Sequence, residues 1–96
     1  MSDTQAQSTA ILPERLTLEQ AVATLAQLKR ALVRQPGPQV ALDASALHEL
    51  DTSAVAVLLE LRRVLQPQGK TLQVQHAPQR LRDLVTLYGV QELLSV

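Results

Sequence analysis

The sequence predicts an α/β fold, a small sandwich with a mostly parallel central sheet and helices packed against it. Three observations point there. Short segments of strand character alternate with longer segments whose apolar residues recur every three or four positions. Proline and glycine punctuate the joins at Gln35-Pro36-Gly37-Pro38 and Gln66-Pro67-Gln68-Gly69. The resulting order, β-α-β-α-β-α, implies parallel strands linked by right-handed crossovers. The chain has 96 residues, enough for one small domain. Hydrophobic residues make up 46% of it, and Tyr88 is the only aromatic, so the core is built from Leu, Val and Ala.

Taken in order, Met1 to Ala10 is polar and reads as a loose tail, with the domain occupying residues 11–96. Ile11 to Leu16 reads as a weak edge strand broken by Pro13. Thr17-Leu18-Glu19-Gln20 fits a capping box, a hydroxyl at the cap and an amide three residues on. Leu18, Val22, Leu25, Leu28 and Leu32 follow as one apolar stripe, with Lys29, Arg30 and Arg34 near the negative end of the helix dipole. Gln39 to Ala44 is the central strand candidate, and Leu47 to Leu50 leads to a second junction. There Asp51-Thr52-Ser53 precedes Ala54 to Leu65, whose length, cap residues and late arginines favour helix over strand. Thr71 to Gln75 alternates and reads as a strand with Leu72 and Val74 on one side. Pro78 suits the first turn of a last helix with the stripe Leu81, Leu84, Val85 and Tyr88, and Gly89 suits its C-terminal cap.

Composition excludes several functions. The formal net charge is zero, so the chain lacks the basic field that phosphate backbones demand, and one aromatic is too few for base stacking. There is no cysteine, hence no disulfide, thiolate metal site or cysteine nucleophile. The N-terminus has no apolar h-region, and no apolar run approaches the roughly 20 residues of a membrane span. His48 and His76 have no regular spacing to a carboxylate or serine; His48 is expected to pair with Glu49 in a loop and His76 to end a strand. Ser45 and Ser53 lack a nucleophile-elbow context, and the three glycines are isolated. Asp43 reads as a hydrogen-bond acceptor at a strand end, and Arg80 and Arg82 as solvated charges. The expectation is therefore a protein that is not an enzyme, with no catalytic residue, metal or cofactor.

The 51–53 junction carries the functional reading. One of its three residues must cap the helix, and Asp51 is the expected cap. At about 100° per residue, Ala54, Val57, Leu58, Leu61, Val64 and Leu65 converge on a core face. Thr52, Val55, Ala56, Leu59 and Arg63 point the other way, and that face is mostly apolar where charge would be ordinary, so Val55 and Leu59 are either covered by a neighbouring helix of the domain or meant for a partner. With Ser53 they form the expected partner-binding surface. A hydroxyl at a helix N-terminus lies beside free N–H groups and the positive dipole end, which lets it bond to a partner or carry a phosphate.

Val40-Ala41-Leu42-Asp43-Ala44-Ser45, followed by Leu50-Asp51-Thr52-Ser53-Ala54-Val55-Ala56-Val57-Leu58-Leu59, resembles a STAS domain, the fold of anti-sigma-factor antagonists. That family has a strand ending in Asp and a small residue, then a D-[ST]-[SAT]-G motif opening an apolar helix. The resemblance implies a STAS-like sandwich over residues 11 to 96 and makes Thr52 the position of the antagonists' phosphorylated hydroxyl. Ala54 stands where the family usually has glycine, which implies ordinary helical geometry there. Threonine at 52, the short N-terminal strand region and the ending Leu84-Val85-Thr86-Leu87-Tyr88-Gly89-Val90 look most like the MlaB-type members. These are non-catalytic cytoplasmic subunits that sit on the ATPase subunit of an ABC transporter for phospholipids and support its assembly and activity. The resemblance thus implies an ATPase partner, a location peripheral to the inner membrane through that complex, and a role in outer-membrane lipid asymmetry. The alternative is an antagonist of an anti-sigma factor kinase, regulated by phosphorylation at Thr52.

Overall fold

The computed structural model describes residues 9–94 and residue 96. The expected tail over 1–10 lies, up to residue 8, outside the described residues. Three strands form a parallel sheet in the order β1 (Ala10–Ile11), β3 (Gln39–Asp43), β5 (Thr71–Gln75). The expected edge strand over 11–16 is divided. Its first part is β1, and its second is β2 (Arg15–Leu16), which leaves the sheet and pairs in parallel with β4 (Glu49–Leu50). Pro13 lies between the two halves, where its missing N–H and fixed φ end one ladder before the other begins. Three helices follow their strands: α1 (Leu18–Arg34), α2 (Thr52–Leu65) and α3 (Gln79–Leu87). The alternating order and the parallel sheet match the expected architecture.

The register explains why one sheet face suffices. Val40 pairs with Leu72 and Leu42 with Val74, and all four are buried beneath the helices. Gln39, Thr71, Gln73 and Gln75 alternate onto the opposite face and are exposed, with Gln73 Nε2 donating to Gln39 Oε1 at 3.0 Å. Parallel sheets are usually covered on both faces. Here the uncovered face is polar, so the fold remains two layers deep.

Side chains complete hydrogen bonds that the short strands leave open. Gln35, just past α1, is buried, and its amide bonds both backbone groups of Ala41: Nε2 donates to the carbonyl at 2.9 Å and Oε1 accepts from the N–H at 2.8 Å. These groups lie on the β1 side of β3, one position before β1 pairing starts, so the amide stands in for a strand residue. Lys70 Nζ donates to the carbonyls of Gln35 (2.6 Å) and Gly37 (3.1 Å), satisfying carbonyls beyond the end of α1.

The core is one cluster that joins Leu28 and Leu32 of α1, Ala54, Val55, Val57, Leu58, Leu61 and Leu65 of α2, and Leu81 and Val85 of α3 to the sheet residues. The α1 stripe corrects one expectation. Leu28 and Leu32 are buried and Leu25 half-buried, but Leu18 and Val22 are 75% and 82% exposed. The inward line runs through Thr24, Leu28 and Leu32 instead, at the same helical spacing but rotated from the first turns of the stripe. Tyr88 likewise leaves the α3 stripe and is 53% exposed.

Candidate partner-binding surface

The junction before α2 is held by Asp51. Its backbone is extended, its Oδ1 accepts from the Ser53 N–H at 2.8 Å, and its Oδ2 accepts from the Leu18 N–H at 3.2 Å. One carboxylate thus caps α2 and also takes an N–H from the first turn of α1, joining two positive helix ends. The Ser53 N–H is the main cause that holds the Asp51 carboxyl below its ordinary pKa; desolvation opposes it, and the Leu18 N–H adds a smaller lowering effect. Asp51 is the cap expected from the sequence; its reach to Leu18 was not, because a 33-residue separation carries no local signal.

The residues after the cap divide between two flanks of α2. Thr52 opens the helix and is exposed, as is Ala56 one turn on. Of the two readings of Val55, cover by a neighbouring helix is the one that holds: it is only 5% exposed and does not belong to the expected contact surface. Leu59 is half-buried against the core. The cause is a second neighbour: Val55 and Leu59 share a groove with Tyr88 and Val90, at the end of α3 and just after it. Thr52 and Ala56 form the near wall of that groove. A wheel that assigns one core face to α2 misses this, because α2 touches α1, α3 and the sheet together.

Gly89 sets the far wall. Its φ of 69° is left-handed, the Gly89 N–H reaches the Thr86 carbonyl at 3.0 Å, and the Val90 N–H reaches the Val85 carbonyl at 3.1 Å. This is a Schellman turn, and it brings Val90 back toward α2. Tyr88, Leu87 (73% exposed) and Val90 were not among the expected contact residues. A hydrophobic residue directly after a cap glycine was the available signal for Val90.

Ser53 belongs to the other flank, where it lines a groove with Leu18, Ala21, Val22, Leu25, Ala56, Val57 and Glu60. Ala54 is fully buried inside regular helix, as its identity implied. Arg63 is exposed at the far end and donates to Glu60 one turn back through Nε at 2.9 Å. This bond raises the pKa of Arg63 and lowers that of Glu60.

The remaining candidates are local. Asp43 Oδ1 accepts from the Ser45 N–H at 2.9 Å, and that bond, with the Ser45 side chain, lowers the Asp43 pKa. His48 Nδ1 meets the Ala46 carbonyl and does not pair with Glu49, which is bonded to Arg15 Nε at 3.1 Å across the β2–β4 pair. His76 follows β5 with a φ of 58°. Arg80 is more than a solvated charge: its Nε donates to the Leu50 carbonyl at 3.3 Å and ties α3 to β4. Among the described residues no His, Asp and Glu side chains gather in threes as metal ligands would, and no helix is long and apolar enough to cross a membrane. The surface built around Thr52 and Ala56 is therefore an exposed hydroxyl and apolar walls on two rigid helix ends, chemistry suited to contact.

The family described as "Mlab, STAS domain" matches residues 3–95. Among curated proteins none matches the chain in sequence. Among solved structures, the STAS domain of a SulP transporter from Vibrio cholerae superimposes with a TM-score of 0.63, covering 91% of this chain and 68% of that one at 13% identity. At that identity the likeness speaks for the fold.

Proposed function

This chain belongs to the Mlab-type STAS domain family, and from that premise we propose that it is a non-catalytic subunit that binds the ATPase of an ABC transporter for phospholipids and supports its assembly and activity. Its place is then the cytoplasmic side of the inner membrane, reached through the complex, and its role is upkeep of outer-membrane lipid asymmetry. The observation that carries the reading is the surface at the α2–α3 end. Tyr88 is 53% exposed in the groove it shares with the exposed Thr52 and Ala56, and Leu87, the residue before it, is 73% exposed. A folded domain with one aromatic residue and a Leu and Val core gains nothing from leaving its tyrosine and a leucine in water, whereas a partner that covers them gains roughly 25 cal/mol per Å² of apolar surface.

The experiment is co-purification with an ABC ATPase and phospholipid-transport permease from the cells that make this protein. The wild type is expected to elute with the ATPase and to raise its hydrolysis rate. Leu59 is half-buried, so a charge there threatens the fold; Ala56 is exposed and is the cleaner probe. Ala56→Arg is expected to lose co-purification while its circular dichroism and melting temperature stay those of the wild type. Unchanged elution of Ala56→Arg with the ATPase would refute the surface assignment.

The second reading, an antagonist switched by phosphorylation, has one observation in its favour: Thr52 is exposed on the first turn of α2, where a kinase reaches it. A phosphate there would add about −1.5 to −2 charges beside the exposed apolar residues. In the transporter reading the Thr52 hydroxyl acts unmodified, so intact mass of the protein from its native cells is expected to show no phosphorylated fraction.

A further inference from the structure

The flank of α2 opposite α3 carries a second surface. α1 and α2 each return the chain between parallel strands, so they run parallel to each other. A groove follows their seam. Its first part is apolar, with Leu18, Val22 and Leu25 on one wall and Ala56 and Val57 on the other. Its last part keeps an apolar floor of Val33 and Val64 but is rimmed by Lys29, Arg30 and Arg34. The acid between the two parts, Glu60, is already bonded to Arg63. Leu18 and Val22 lie almost wholly in water although the same helix has a buried face available. One residue, Ala56, lines both this groove and the one beside α3, so the two surfaces are continuous.

We infer that the α1–α2 groove receives an amphipathic helix of the partner protein, apolar along its inner face and acidic in its first turn, lying antiparallel to α1 and α2. Charge complementarity selects this occupant. Three cations on the rim face a single neighbouring acid, Glu60, which is bonded to Arg63 and lies within electrostatic reach of Lys29 only, and this excess calls for carboxylates over the Arg30–Arg34 end. Carboxylates are most stable in the first turn of a helix, so the partner's N-terminus lies at that end and its dipole opposes those of α1 and α2. The apolar walls near Leu18 and Val22 then take its later turns at i, i+3, i+4 and i+7 spacing. From Leu18 to Arg34 the groove is about 24 Å long, a little over four helical turns. The identity of the partner rests on the proposed function; the shape and charge of its helix do not.

Binding to the ATPase and to a synthetic four-turn helix tests this. The synthetic helix carries leucines at the stated spacing and glutamates in its first turn; a second version carries the glutamates in its last turn. Wild-type affinity for the ATPase is expected to fall with added salt. Arg30→Glu with Arg34→Glu is expected to weaken it about tenfold or more and flatten the salt response, and Val22→Asp to weaken it as much. Arg82→Glu, outside both grooves, is expected to bind as the wild type does, and circular dichroism to report all variants folded. The first synthetic helix is expected to bind wild type more tightly than the second and to lose that preference with Arg30→Glu and Arg34→Glu. Undiminished ATPase binding by the groove variants, with Ala56→Arg still defective, would overturn the groove assignment and leave the function standing. Absence of any ATPase binding would refute the function, and the synthetic helix would then decide the groove alone: no preference between its two versions overturns it. Sedimentation with phosphatidylglycerol vesicles that depends on Arg30 and Arg34, with ATPase binding unaffected, would overturn it in favour of a membrane surface.

Discussion

At the scale of single residues, the organising group is the Asp51 carboxylate. It serves two helix ends at once, accepting from Ser53 at 2.8 Å and from Leu18 at 3.2 Å. Removing it leaves two N–H groups to find other partners and loosens α1 against α2 where both surfaces begin. Asp51→Ala is expected to lower the melting temperature by several degrees, more than loss of a cap that serves one helix. The pH dependence has a definite sign. Because its bonds lower the Asp51 pKa in the folded state, its contribution is complete above the unfolded carboxylate value of about 3.9 and fades as pH falls through the lower folded value. The gap in melting temperature between wild type and Asp51→Ala is therefore expected to be widest near neutrality and to close below about pH 4. Thermal melts across that range check both the size and the sign. Half of this role was legible in the sequence: Asp ahead of Thr-Ser-Ala and an apolar helix is a cap signal. The bond to Leu18 was not, because it depends on the tertiary approach of two helix starts.

At the scale of elements, the helices show what periodicity resolves and what it leaves open. The α1 start and stop followed from Thr17, Gln20 and the Pro36-Gly37-Pro38 break, and Thr17 N–H bonds the Gln20 side chain at 2.9 Å as the capping box requires. Its inward line did not follow, because apolar residues occupy two adjacent lines on α1. One, through Thr24, Leu28 and Leu32, faces the sheet; the other, through Leu18, Val22, Leu25 and Val33, borders the seam with α2. The two are separable by stability. Leu28→Ala is expected to cost about 2–5 kcal/mol as a core truncation, and Val22→Ala to stay within about 0.5 kcal/mol of wild type. Urea denaturation of both variants measures this. On α2 the same ambiguity left Val55 open between a partner and a neighbouring helix. Contacts on three sides widen its buried arc beyond one face, and only the fold supplies the third side.

At the scale of the whole molecule, three surfaces differ in chemistry. The uncovered sheet face is polar and uncharged at Gln39, Thr71, Gln73 and Gln75. The α2–α3 end presents Thr52, Ala56 and Tyr88. The α1–α2 seam passes from apolar to basic. With a formal net charge of zero, what distinguishes these surfaces is arrangement rather than total charge. The alternation of strands and helices made the architecture legible, and the strand-to-helix junction pointed to the α2 half of the surface proposed for contact. The α3 half was hidden because Tyr88 read as one more member of a core stripe, and a single helix cannot reveal that its last turn overshoots the core. The central proposal is that the ATPase covers the α2–α3 end. A photo-crosslinking side chain placed in turn at Ala56 and at Gln73 tests it directly in the assembled complex. A covalent adduct with the ATPase is expected from position 56 and none from position 73 on the open sheet face; adducts from position 73 with none from position 56 would contradict the proposal.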